Sequence, residues 1–323
     1  MRLKVIPLAA ESLGTRSMCT YVESPDLRVL IDPGVSLGPR FRLLPHPKEY
    51  EALREARRRL AEHADLVSVV TVSHYHFDHA TPTYTDYVWN FCDLEVARQL
   101  YRGKVVLGKD HRSTVNFSQR RRGWMLMSRI GDVVKSFEPA DGRTFTYGGT
   151  TLRFSSPVFH GERGTPLGWV LMLSVDCGGD IFLHASDIQG PMVSETADML
   201  VSSKPSLAYL GGPPTYLAGY RGEGKTVAEA FMNMSRIVER VPTVVDDHHL
   251  MREGELPKGF EQVQSTAKEA GHRVLTAAEL LGQENVFLEA RRRELYEEFP
   301  PSEEFVRWTK LPEDKRARTP PPL

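Results

Sequence analysis

Cysteine is scarce in this chain: Cys19, Cys92 and Cys177 form an odd, widely scattered set among 323 residues. They match no zinc-finger spacing and build no disulfide framework, which points to a reducing compartment. Long apolar runs are missing too. No stretch approaches the roughly 18 residues of a membrane span, and the opening segment 1–11 has too short an apolar core for a signal peptide. A cytoplasmic protein without membrane partners is therefore expected. Excess positive charge is also lacking, since 41 Lys and Arg stand against 42 Asp and Glu for a net charge of -1. That balance argues against a dedicated nucleic-acid binder. Asparagine occurs only at 90, 116, 233 and 285 while 26% of residues are charged, a composition favoured by hot-growing organisms.

What the chain does have is a dense group of metal-binding side chains. His74-Tyr75-His76-Phe77-Asp78-His79 packs three imidazoles and one carboxylate into six residues, directly after the β-branched run 65–73. Neutral imidazole and carboxylate are the usual ligands of catalytic zinc, and three protein ligands per ion leave a position open for water. A chain leaving the sheet still extended puts side chains two apart on one face, so His74 and His76 can grip one ion. Asp78 and His79, displaced as the chain turns toward a helix, can hold a second.

Three more strand ends carry ligand-type side chains. His160 follows the strand-like segment 151–159, Asp187 follows 180–186, and the segment 243–249 ends in Asp246-Asp247-His248-His249. This order resembles the metallo-β-lactamase superfamily over roughly residues 1–280, and Ile6 to Gly14, Leu30-Ile31-Asp32-Pro33-Gly34 and Asp247-His248-His249-Leu250 resemble an archaeal branch of metal-dependent hydrolases within it. The resemblance implies an α/β fold, the αββα sandwich of two mixed β-sheets flanked by helices. It implies a metal site and no particular substrate.

The pattern along the chain fits that architecture. Segments 3–8, 17–22 and 27–31 read as an antiparallel meander, 50–61 and 225–240 as amphipathic helices, and 144–147, 151–158, 168–175 and 181–184 as strands joined by glycine turns. The arginine runs at 57–59 and 291–293 read as solvated helix faces. We expect a catalytic domain over 1–282, then a C-terminal helix and a Pro-rich tail over 283–323 ending extended and poorly ordered.

The expected chemistry is a dinuclear hydrolase carrying two Zn2+, with Mn2+ or Fe2+ as substitutes. His74, His76 and His160 would hold one ion, Asp78, His79 and His248 the other, with Asp187 bridging and a hydroxide shared by the two ions as nucleophile. Alternation along a strand would point His248 and His249 to opposite faces, leaving one of them as ligand. Asp78 would also orient the nucleophile, and His111 or His249 would protonate the leaving group. Asp32 reads either as a carboxylate orienting a ligand histidine or as a turn cap. His184 reads as a core residue, and His46, His63 and His272 as surface histidines. The polar, basic segment 109–124 reads as an anion-recognising loop in which Asn116 and Gln119 offer hydrogen bonds and Arg112 or Arg120 an anion contact. Segment 215–221 reads as a second rim loop. A small anionic phosphodiester, lactone or thioester is the expected substrate. The RNA-processing branch carries an extra domain between the bridging Asp and the last His, and here only 61 positions separate Asp187 from His248. Alternatives are a compact nuclease, an iron-dependent oxidoreductase and a non-catalytic metal-binding protein.

Overall fold

The computed structural model describes residues 2–217, 224–253 and 256–323. Its first sheet has six strands in chain order: β1 (Lys4–Pro7), β2 (Thr20–Glu23), β3 (Arg28–Ile31), β4 (Val69–Val72), β5 (Val105–Gly108) and β6 (Ser136–Pro139). β1, β2 and β3 pair antiparallel, whereas β3 to β6 pair parallel. The parallel crossovers are helical: α1 (Pro47–Ala64), α2 (Leu94–Tyr101) and α3 (Phe117–Ile130).

The second sheet repeats this logic. β7 (Thr144–Tyr147), β8 (Thr150–Phe154), β11 (Leu173–Cys177) and β12 (Asp180–His184) pair antiparallel, and β12 continues parallel to β13 (Leu207–Gly211), β14 (Thr243–Asp247) and β15 (Arg273–Leu275). The short hairpin of β9 (Val158–Phe159) and β10 (Trp169–Val170) stands apart. Helices α4 (Ser194–Ser202), α5 (Gly224–Val238) and α6 (Lys258–Glu269) make its parallel crossovers.

Period-two alternation sorts side chains into layers. Along β13, Leu207 and Tyr209 enter the core between the sheets, while Ala208 and Leu210 face the outer core that includes Met234 and Ile237 of α5. In β4, Val69 joins the inter-sheet core and Val70 and Val72 join the outer core with Leu53, Ala56 and Leu60 of α1. The result is the expected four-layer αββα sandwich of two mixed sheets, with the parallel strand ends of both sheets brought to one edge.

The chain departs from expectation at several points. Segment 117–124 is the first part of α3 rather than a loop, because Asn116 caps it by accepting from Gln119 N at 2.7 Å; a capping side chain satisfies an amide that would otherwise have no partner in the first turn. The arginine runs are not wholly solvated either. Arg57 is buried and donates to Asn90 O, Thr81 Oγ1 and Val35 O, and Arg292 is buried against Glu49 at 2.8 Å. A guanidinium tolerates burial when its donors are all met. His46 is likewise inside, capping α1 and bonded through Nε2 to Phe299 O at 2.8 Å.

After the short α7 (Ala277–Leu280), the chain beyond 282 forms three helices where one was expected, α8 (Arg292–Glu298), α9 (Glu303–Thr309) and α10 (Glu313–Arg318), and residues 319–323 lie outside helix and strand. Phe305 and Trp308 of α9 sit in the outer core against Tyr50 of α1, with ring centroids 6.0 and 5.6 Å away. Paired aromatic burial explains why a stretch with two prolines before it still docks. Phe305→Ala should cost about 3–5 kcal/mol and lower the unfolding midpoint in chemical denaturation; an unchanged midpoint would mean that α9 is a dispensable appendage.

Candidate metal centre

At the shared edge, β3, β4, β12 and β14 each end in a short polar segment. Gly34, after β3, lies so close to the turn at His79 and Ala80 that a Cβ there would stand 2.4 Å from His79 N. Only glycine permits this approach. It lets Asp32 reach the motif: Asp32 Oδ1 accepts from Ser73 N at 2.7 Å, and Oδ2 accepts from Ser73 Oγ at 2.5 Å and faces His79 Nδ1 at 3.0 Å. Asp32 therefore orients a histidine instead of capping its own turn.

The structure brings His74, His76, His160 and Asp187 together, with their ligand atoms within 4.8 Å of one another, and does the same for Asp78, His79 and His248. Asp187 lies between the two sets. Its Oδ2 is 2.8 Å from His160 Nε2, 3.9 Å from His79 Nε2 and 3.8 Å from His248 Nε2. His248 Nε2 is also 3.6 Å from Asp78 Oδ2.

Contrary to the alternation argument, His248 and His249 both turn toward Asp187. Strand β14 stops at Asp247, His248 takes a left-handed φ of 71°, and His249 begins a helical turn. Alternation holds only while the chain remains extended. His249 Nε2 comes within 2.8 Å of Asp187 Oδ1, and its Nδ1 faces Tyr216 Oη at 3.3 Å.

These side chains fit a metal. The inward atoms His74 Nε2, His79 Nε2 and Asp187 Oδ1 are buried without a hydrogen-bond partner among the described residues. Short N···O distances without hydrogen-bond geometry mean that the lone pairs aim at common space rather than at each other. Three outward nitrogens, by contrast, are held: His74 Nδ1 by Ser73 Oγ at 3.0 Å, His79 Nδ1 by Asp32, and His248 Nδ1 by Glu11 Oε2 at 2.9 Å. Ligand histidines are commonly oriented this way, through the ring nitrogen that does not bind.

Protonation follows the same division. Burial and the neighbouring imidazoles of His79, His76 and His160 hold His74 well below its usual range, and burial with His160 pushes His76 down to about 3. Both are therefore neutral, as ligation requires. Burial is the largest influence on His248 and would lower it, but the Glu11 carboxylate and the Asp187 contact together outweigh it and lift the group to about 10, so a metal ion would bind there by displacing a proton. Asp187 stays well below the carboxylate range despite burial, because His160 and His249 stand beside it. Glu11, opposed by burial but facing His248 and Arg252, is drawn down to about 2.

Glu11 and Arg252 were not identified as site residues from the sequence. Arg252 is buried, donates through Nε to Glu11 Oε1 at 2.7 Å and through Nη1 to Tyr216 Oη at 3.0 Å, and its Nη2 lies 3.7 Å from Asp78 Oδ2. The only signal for it was its place one helical turn after His249. His184 is a buried core residue bonded to Met18 O. Of the rim segment 215–221, Tyr216 meets the site, and residues 218–221 lie outside the described residues.

His111 and the Tyr75 ring both pack against Gly123 of α3, and His111 Nδ1 is buried without a hydrogen-bond partner among the described residues. Asn116 and Gln119 spend their amides on Pro166 O and Leu167 O, and Arg112 is paired with Asp110. The member of the basic segment that does stand near the cluster is Arg122, whose charge is felt by Asp78 and His76.

Residues 14–81 match the family model of the metallo-beta-lactamase superfamily, so the fold and its motif define a protein of that superfamily. Within it, the chain belongs to the UPF0282 family. It is 42% identical to the UPF0282 protein of Methanopyrus kandleri over 91% of this chain and 99% of that one, and 41% identical to the UPF0282 protein of Pyrococcus horikoshii over 91% and 93%. Among solved structures it is similar to the metallo-beta-lactamase fold protein YhfI from Bacillus subtilis, with a TM-score of 0.47, 14% identity and coverage of 88% of this chain and 97% of that one. It is also similar to a metal-dependent hydrolase of the beta-lactamase superfamily, with a TM-score of 0.45, 15% identity and coverage of 85% and 95%. No helix among the described residues is long and apolar enough to cross a membrane.

Because Asp32 fixes His79 through its outward nitrogen, Asp32→Asn should weaken zinc uptake about 10- to 100-fold in a chelator competition assay while Glu11 and His248 remain paired. Equal zinc affinity in the variant would show that the ring is held by packing alone.

Proposed function

We propose that this chain is a dinuclear zinc hydrolase acting on a small anionic ester, a phosphodiester, lactone or thioester. The observation that carries the reading is the pair of converging donor sets sharing Asp187, with His74 Nε2, His79 Nε2 and Asp187 Oδ1 buried and unpartnered among the described residues and the outward nitrogens of His74, His79 and His248 anchored on carboxylate or hydroxyl. His74, His76 and His160 would hold one ion, Asp78, His79 and His248 the other, and Asp187 would bridge. Two bound ions supply Lewis acidity and lower the pKa of a water to near 7.

The remaining work falls to the protein. His74, His79, His160, Asp187 and His248 are buried, so water and substrate arrive from the side of His76 and Asp78, which are half-exposed. Asp78 is placed to orient a nucleophilic water, its free charge secured by Arg252 at 3.7 Å. His249 faces both Asp187 and Tyr216, which suits it to positioning the bridging carboxylate, and His111 or His249 would protonate the leaving group. Three buried free cysteines accord with a reducing cytoplasm.

Metal analysis of protein purified without added metal should find two divalent ions per chain. A site that saturates with one ion, measured by titration against a chromophoric chelator, would sink the dinuclear assignment. In a hydrolase screen over phosphodiesters, lactones and thioesters, Asp78→Asn should reduce turnover by on the order of 100-fold or more with little change in melting temperature, since it opens no cavity. Full turnover in that variant would remove Asp78 from its role.

A further inference from the structure

Beside the partly exposed mouth of the cluster lies a shallow cleft, open to solvent, between the turn of the histidine motif and α3. Phe77, Pro82, Tyr84, Met125 and Leu126 give it apolar walls. Its one cation among the described residues is Arg122, whose guanidinium lies 4.4 Å from the centroid of the Phe77 ring. Phe77 is flanked by His76 and Asp78, so this wall of the cleft is continuous with the metal-binding motif itself.

Arg122 is half-buried and has no hydrogen bond or ion pair among the described residues. The buried arginines elsewhere behave differently: Arg57, Arg252 and Arg292 each spend their donors on carbonyls, hydroxyls or carboxylates. Desolvating a guanidinium without using its five donors costs free energy unless an acceptor arrives from outside. Stacking on Phe77 compensates in part and also fixes the planar fork in place. The position is held by close packing, because a Cβ on Gly123, the next residue of α3, would stand 2.4 Å from His111 Cβ and 2.7 Å from the Tyr75 ring. Gly123 thus allows α3 to lie against the motif, and His111 serves as its contact surface.

We propose that Arg122 and the Phe77–Tyr84 cleft form the specificity subsite of this centre, taking a small molecule whose oxyanion group, phosphoryl or carboxylate, is attached directly to an apolar, flat moiety. The oxyanion sits between Arg122 and the open side of the donor cluster, and the apolar part lies along the cleft against Phe77, Tyr84 and Met125. A planar guanidinium meets either headgroup through paired N–H donors. This rests on the reading of the cluster as a metal-dependent hydrolase site and names the substrate class for it.

The test is calorimetric binding to the zinc-loaded protein, which reads affinity and not turnover. Two pairs of non-hydrolysable probes are used: phenylphosphonate with methylphosphonate, and benzoate with acetate. In the pair bearing the correct headgroup, the wild type should bind the aryl member about tenfold more tightly than the methyl member. Arg122→Met should weaken both members about tenfold, whereas Tyr84→Ala, at a partly exposed ring, should weaken only the aryl member. Wild-type affinity in Arg122→Met for every probe, or no aryl preference in either pair, would overturn the proposal. If Arg122-dependent binding is retained while every hydrolase screen is blank, the hydrolase reading fails and the subsite stands.

Discussion

A single buried carboxylate, Asp32, connects the two sheets at the point where all the chemistry is gathered. It takes the backbone and side chain of Ser73 at the end of β4, the ring of His79, and, more distantly, Ser186 Oγ at 3.4 Å from the loop that follows β12. Ser186 Oγ also bonds Ser73 Oγ at 2.7 Å. A carboxylate fully removed from water is expensive unless its acceptor sites are met. Here the groups that meet them come from both sheets. The position of the histidine motif relative to Asp187 is therefore set by the satisfaction of one charge rather than by loop geometry alone.

Glu11 does for the other end of the site what Asp32 does for the first. It joins His248 to Arg252, and through them faces Asp78 and Tyr216. The two carboxylates sit behind the cluster, so the histidines are held from outside while their inner atoms converge. Such preorganisation leaves little to be rearranged when a charged ligand or reacting group enters. Solvent reaches the centre at His76 and Asp78, next to the half-buried Arg122, and this asymmetry gives the site a direction of approach. The remaining sides are closed by the sandwich and by the turn that carries His249 and Arg252.

Much of this was legible in the residues. Alternating and continuous apolar runs marked the strands, and the antiparallel meander at the N-terminus is present as β1 to β3. The dense motif at 74–79 announced itself because local spacing alone concentrates its ligands. Other features were hidden for identifiable reasons. Arg57 and Arg292 sit in runs of arginine that look alike in one dimension, and only the neighbouring carbonyls and Glu49 distinguish an inward guanidinium from a solvated one. The helix at 117–130 was obscured by its polar, basic start, although Asn116 three residues before Gln119 was a capping signal in plain view.

The donor-rich motif and the succession of strands along the chain were determined by the sequence by itself, because they depend on side-chain type and on short-range periodicity. Which residues stand behind the ligands was decided only by the tertiary structure. Glu11 meets His248 across 237 positions, and the facing of His248 and His249 depends on a left-handed turn that ends the alternation. Arg122 gained its place from the packing of α3 on Tyr75 through Gly123. These are long-range matters of burial and charge satisfaction, and a linear pattern carries no record of which distant group will fill a given vacancy in a folded core.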